Sequence, residues 1–137
     1  MSMQLSVESM RVKGLVAFGS LSLILFNIHG ADDIVSGEAS NLGGIPFFAI
    51  SGILISTLFV FSLGWSWKQK KFGYALVLVL SAFSFYGTFL SHAVPVSPSR
   101  ALDHMSAFFV VVSLFSGISS LTAALLSVYA LVWPKKP

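Results

Sequence analysis

Four long runs of apolar and small residues make up most of the chain, and charged or turn-forming residues separate them. No Asp, Glu, Lys or Arg occurs in 14–31, 39–67, 72–99 or 104–134. A helix needs about 20 apolar residues, at a rise of about 1.5 Å each, to cross the hydrocarbon core of a bilayer. Each run therefore supplies one span, predicted at about 13–31, 43–65, 72–94 and 104–133. The first is the shortest in strictly apolar terms, covering 14–28. It also has some marks of a signal peptide: the bases Arg11 and Lys13, a short apolar stretch, and the small residue Ala31. A cleavage site needs small residues two apart, and His29 fits that rule poorly. The first run is accordingly read as a retained span.

Turn chemistry agrees with this division. Ser40 or Asn41 can cap the second helix, with Gly43, Gly44 and Pro46 at its start. Pro95 ends the third, and Ser97 followed by Pro98 reads as a cap with proline at the first helical position. On that reading the fourth helix starts a turn outside the membrane and carries Arg100, Asp103 and His104 there. Short connections make consecutive helices antiparallel neighbours. The expected fold is an all-α integral membrane protein with one domain over 1–137. Its four transmembrane helices form an up-down antiparallel bundle.

The small and hydroxyl residues recur at helical spacing. In the fourth span Ser113, Ser116, Gly117, Ser120, Ala124 and Ser127 share a face. Ser81, Ser84, Thr88 and Ser91 do so in the third, and Ala49, Gly52 and Ser56 in the second. Such faces let membrane helices approach closely and hydrogen-bond across the contact. Gly52, Ser56, Ser84, Thr88, Ser113, Ser116, Gly117 and Ser120 are the packing positions this predicts. Asn27 is the most polar residue inside the first span and is expected to bond a neighbouring helix. Phe occurs 13 times, and Phe18, Phe26, Phe59, Phe61, Phe83, Phe85, Phe108 and Phe115 are expected to face lipid or a larger partner.

Composition supports the membrane reading. The chain of 137 residues is 55% hydrophobic, with 8 Lys or Arg and 5 Asp or Glu. Charged residues are 9%, against roughly 25% in an ordinary soluble domain. Disordered chains are charged and poor in aromatics, so disorder is excluded too. Every base except Arg100 lies on the N-terminal arm, the second loop (Lys68, Lys70, Lys71) or the tail (Lys135, Lys136). The first loop holds Asp32, Asp33 and Glu38 and no base. The positive-inside rule then puts both termini and the second loop on the cytoplasmic side of a plasma membrane, or on its equivalent in an organellar inner membrane. Trp65, Trp67, Tyr74, Tyr129 and Trp133 form an aromatic belt at that boundary. The lysines orient the chain and attract anionic head groups. No basic stripe is long enough to suggest nucleic acid.

Candidate chemistry is confined to the other boundary. His29, His92 and His104 all map there, with Asp32, Asp33 and Asp103 beside them. Imidazole with carboxylate suits zinc, copper or non-haem iron, and two facing imidazoles suit a b-type haem. The metal set would be His29, Asp32, Asp33, His92, Asp103 and His104. The haem set would be His29, His92 and His104. No metal-type spacing such as H-E-x-x-H is present, and ordinary interfacial histidines are the favoured explanation of the pattern. Absence of cysteine excludes disulfides, thiolate metal sites and thioether haem. No phosphate loop or nucleophilic triad occurs, and no ionisable residue occupies the middle of a span, where transporters usually need one.

The primary expectation is a non-catalytic subunit packed within a larger membrane complex, bounded by lipid and other integral subunits, with no cofactor of its own. A respiratory or other energy-transducing complex is a suitable class of host. Two alternatives are a redox or metal-binding membrane protein using the three histidines, and a small homo-oligomeric channel or carrier lined by the hydroxyl faces.

Overall fold

The computed structural model describes residues 2–35, 43–90 and 107–133, with side chains described for 9–35, 43–89 and 110–133. All its elements are helices: α1 (Ser2–Val35), α2 (Ile45–Trp67), α3 (Lys71–Phe85) and α4 (Ala107–Val132). A π-helical turn, Tyr86–Leu90, continues α3 without a break. Four stretches are long and apolar enough to cross a membrane: Ser9–Val35, Ile45–Trp67, Lys71–Phe89 and Val110–Val132.

The first helix exceeds its predicted span at both ends. No glycine or proline precedes Gly14, so nothing halts a helix there, and Gln4, Glu8, Met10, Arg11 and Lys13 are tolerant helix residues. At the other end α1 passes Gly30 and is held by a His29–Asp33 pair one turn apart. Its 34 residues span about 51 Å, well beyond a hydrocarbon core of about 30 Å.

The start of α2 follows its turn residues. Gly43 and Gly44 have φ of 101° and 92°, a region that favours glycine, and Pro46 sits in the first turn. Gly44 takes the cap position, and no side chain caps the helix. The expected caps Ser40 and Asn41 lie outside the described residues, as do Pro95, Ser97 and Pro98.

A three-residue turn joins α2 to α3. The Lys68 N–H donates to Gly64 O, Gln69 to Ser66 O and Lys70 to Trp65 O, at 3.2, 2.9 and 2.9 Å. Gln69 adopts the left-handed region, φ 56°, where helices commonly terminate. Gly73 then presses on the end of α2. A Cβ there would lie 2.5 Å from Ser66 N and 2.7 Å from the Trp65 carbonyl carbon.

Register follows from a few close pairs. Arg11 meets Tyr129, Gly14 meets Leu126 and Ser22 meets Ser120, so numbering rises along α1 as it falls along α4. Gly19 meets Leu63, Asn27 meets Ser56 and Gly30 meets Phe48, giving α1 and α2 the same opposed sense. Ser84 with Ser120 and Thr88 with Ser116 oppose α3 and α4. α4 packs extensively on α1 and α3, and α2 packs on the same two helices less extensively.

The interior is layered along the bundle axis. Near the α2–α3 turn lies an apolar cluster of Leu15, Phe59, Leu63, Tyr74, Val77, Leu80 and Ala123. Two expectations change here. Phe59 is fully buried in this cluster and does not face lipid. Tyr74, expected in the interfacial belt, is buried in the same cluster. Both sit where α2 and α3 are drawn together by the short turn, and a helix face with Leu63 and Val77 needs aromatic bulk to fill the layer. Next along the axis comes a layer of hydroxyls, and beyond it His29.

Candidate functional site

The hydroxyl layer is where three helices meet. Ser22 of α1, Ser84 of α3 and Ser120 of α4 are all buried, and their oxygens form a triangle. Ser22 and Ser120 are 2.6 Å apart, Ser120 donates to Ser84 at 3.1 Å, and Ser22 to Ser84 at 3.3 Å. One turn further, Thr88 Oγ1 lies 2.7 Å from both Ser84 O, to which it donates, and Ser116 Oγ. Ser119 donates to Ser116 O at 3.0 Å. Ser81 and Ser113 extend the layer by a turn in either direction; both are buried, and neither hydroxyl has a hydrogen-bond partner among the described residues.

The local reason is size. Serine brings helix backbones close enough for hydroxyls to touch, and in lipid each unsatisfied polar group is costly. Gly117 does the same beside the π-helical turn: a Cβ there would come within 2.8 Å of the Phe89 ring. A π turn holds one residue more than an α turn and so rotates the residues after it about the helix axis. Thr88, within this turn, is fully buried against α4, and Phe89 stacks on Phe85 at 5.3 Å. Nothing in the sequence distinguishes this turn from a regular third helix.

Of the predicted packing positions, Ser84, Thr88, Ser113, Ser116, Gly117 and Ser120 are buried at the α3–α4 contact or beside it. Ser56 instead donates to Asn27 Oδ1 of α1 at 3.0 Å, while the Asn27 amide donates back to Leu23 O at 2.8 Å. Among the described residues no helix approaches Gly52 closely, and an added Cβ there would meet nothing within 4 Å. Ala124 is half-buried, and Ala123 beside it takes the central place. Ser22, the third partner in the triangle, is not singled out by the spacing of small residues in the sequence. It lies in the most weakly defined span, and its neighbour Ser20 offered an equal choice of face.

At the far end, His29 is 4% exposed, and its Nε2 lies 3.6 Å from Asp33 Oδ2. Helical continuation past Gly30 brings these two onto one face, with Asp32 on the adjoining one. His92, Asp103 and His104 lie outside the described residues. Among the described residues, no group of three or more His, Cys, Asp or Glu could hold a metal ion. His29 and Asp33 offer two donors, fewer than the three or four protein ligands of a zinc site.

At the opposite end, Lys13, Lys68, Lys70 and Lys71 are exposed, and the Arg11 guanidinium lies 4.3 Å from the Tyr129 ring centroid. Tyr129 stacks on Trp133 at 4.9 Å, and Trp65 meets Phe72 edge-on at 5.2 Å.

This is an all-helical protein with four membrane-length helices and a hydroxyl-bonded interior. No family model, curated protein or solved structure matches the chain.

Proposed function

We propose that the chain is a non-catalytic integral subunit of a larger membrane assembly. Its helices form an up-down antiparallel bundle, with both termini and the α2–α3 turn on the cytoplasmic side. The membrane is a plasma membrane or an organellar inner membrane. The outward face of α2 carries this reading. Ile53, Val60 and Phe61 are 58–67% exposed, and Thr57 and Gly64 are exposed with them at helical spacing. An added Cβ at Gly64 would meet nothing within 4 Å. Glycine weakens a helix, so a glycine with no close neighbour among the described residues calls for another reason to be there. Close approach of a foreign helix is one such reason. The interior supports the same conclusion. Its described hydroxyls bond chiefly to one another and to helix carbonyls, as packing contacts between membrane helices do.

Purification of the native protein in mild detergent tests the proposal. Other integral membrane polypeptides are expected at fixed stoichiometry. A clean monomer or a homo-oligomer overturns it.

A further inference from the structure

The basic end has a more definite shape than a scatter of charges. Lys68, Lys70 and Lys71 fall within four residues, on a turn fixed by three backbone hydrogen bonds and clamped by Gly73 against the end of α2. All three lysines are exposed, and no acid occurs in the turn. The acids with described side chains, Asp32 and Asp33, lie at the other end of α1, about 28 Å from Lys13 along the helix. The turn is also flanked by large aromatic surface. Trp65 and Trp67 at the end of α2, and Phe72 at the start of α3, are 40–62% exposed. The Trp65–Phe72 contact makes one edge of this surface a fixed pair of rings.

Three lysines on a fixed backbone turn beside exposed aromatic rings match a ligand with an anionic head and an apolar tail. We infer that the α2–α3 turn is a binding site for anionic phospholipid. The head-group phosphate lies among Lys68, Lys70 and Lys71, and an acyl chain lies along Trp65 and Phe72. Charge complementarity selects the occupant, since the turn offers donors and no acceptor side chain except the amide of Gln69. The aromatic edge selects a lipid over a free anion. Fixed geometry separates a site from diffuse attraction, because the turn is ordered before the lipid arrives.

Brominated lipids quench nearby tryptophan and so report which head group sits beside Trp65 and Trp67. The full chain carrying Trp133→Phe is reconstituted into vesicles of phosphatidylcholine and phosphatidylglycerol, with bromine on one lipid at a time. Phosphatidylglycerol is expected to be preferred severalfold at low salt, up to about fivefold per lysine, with the preference declining as salt rises. Lys68→Gln, Lys70→Gln and Lys71→Gln combined should bring it close to one. Lys13→Gln, which removes a charge from the same end but not from the turn, should leave it within about twofold of the parent value. Equal quenching by both lipids in the parent chain overturns the site. So does a loss with Lys13→Gln as large as one third, on a logarithmic scale, of the loss from the combined change, since it would show diffuse attraction only. The parent measurement needs only the conservative Trp133→Phe chain to fold, and the unsubstituted chain, with all three tryptophans reporting, should show a preference of the same sign.

Discussion

Ser120 engages two other hydroxyls at once, Ser22 on one helix and Ser84 on another. In water such bonds replace bonds to solvent and contribute little. In lipid the alternative is an unsatisfied group, yet the unfolded chain in a membrane also finds partners, so measured values average about 0.6 kcal/mol. Ser120→Ala is therefore expected to lower bundle stability by about 0.5–1.5 kcal/mol, because Ser22 and Ser84 can still reach each other at 3.3 Å. Ser120→Leu is a different change. The site is fully buried, and a branched side chain must push three helices apart, at a cost of about 1–3 kcal/mol beyond the lost bonds. Unfolding by a denaturing detergent, followed by helical circular dichroism, separates the two. Equal effects would mean that the layer is loosely packed and tolerates bulk.

At the scale of the elements, the glycines sort by what surrounds them. Gly73 faces α2 backbone, which cannot rotate away. Gly117 faces the Phe89 ring, which can swing. Gly64 faces open space. Alanine at these three positions should lower the melting temperature most at Gly73, less at Gly117, and not at all at Gly64. At Gly64 the better helix propensity of alanine, up to about 1 kcal/mol in water, acts without opposition. Gly64→Leu extends the test to function: the isolated bundle should melt as before, while co-purifying partners are lost. Helix number and much of the interior were legible from the sequence, because charge-free runs and the spacing of Ser84, Thr88, Ser116 and Ser120 both follow from simple periodicity. Three features were not. Ser22 and Ser20 compete for the interior, and only tertiary packing decides between them. The π-helical turn at Tyr86–Leu90 depends on one extra residue per turn, which no residue type announces. Phe59 and Tyr74 point inward because a tight turn joins their helices, and composition treats an aromatic in lipid and one in a core alike.

For the whole molecule, the proposed orientation rests on the segregation of charge along the bundle axis. Lys13, Lys68, Lys70 and Lys71 lie at one end, and Asp32 and Asp33 at the other. Each lysine near an anionic leaflet is worth about 1 kcal/mol, so the described turn and α1 bases together outweigh the cost of any one misplaced group. The chain contains no cysteine, so single cysteines can be introduced without a background. In intact cells or oriented vesicles, Lys70→Cys should be protected from a membrane-impermeant maleimide until the membrane is opened, whereas Glu38→Cys should react at once. The reverse pattern would invert the proposed topology and leave the bundle intact. Reaction of both from one side would show that α2 does not cross the membrane. The lysines can then be moved to learn what sets the outcome. With Lys68, Lys70 and Lys71 changed to glutamine and two lysines placed beside Glu38, the labelling of the two sites should exchange in a substantial share of the molecules. The arm bases Arg11 and Lys13 would still favour the original sense, so a mixed population is the expected result.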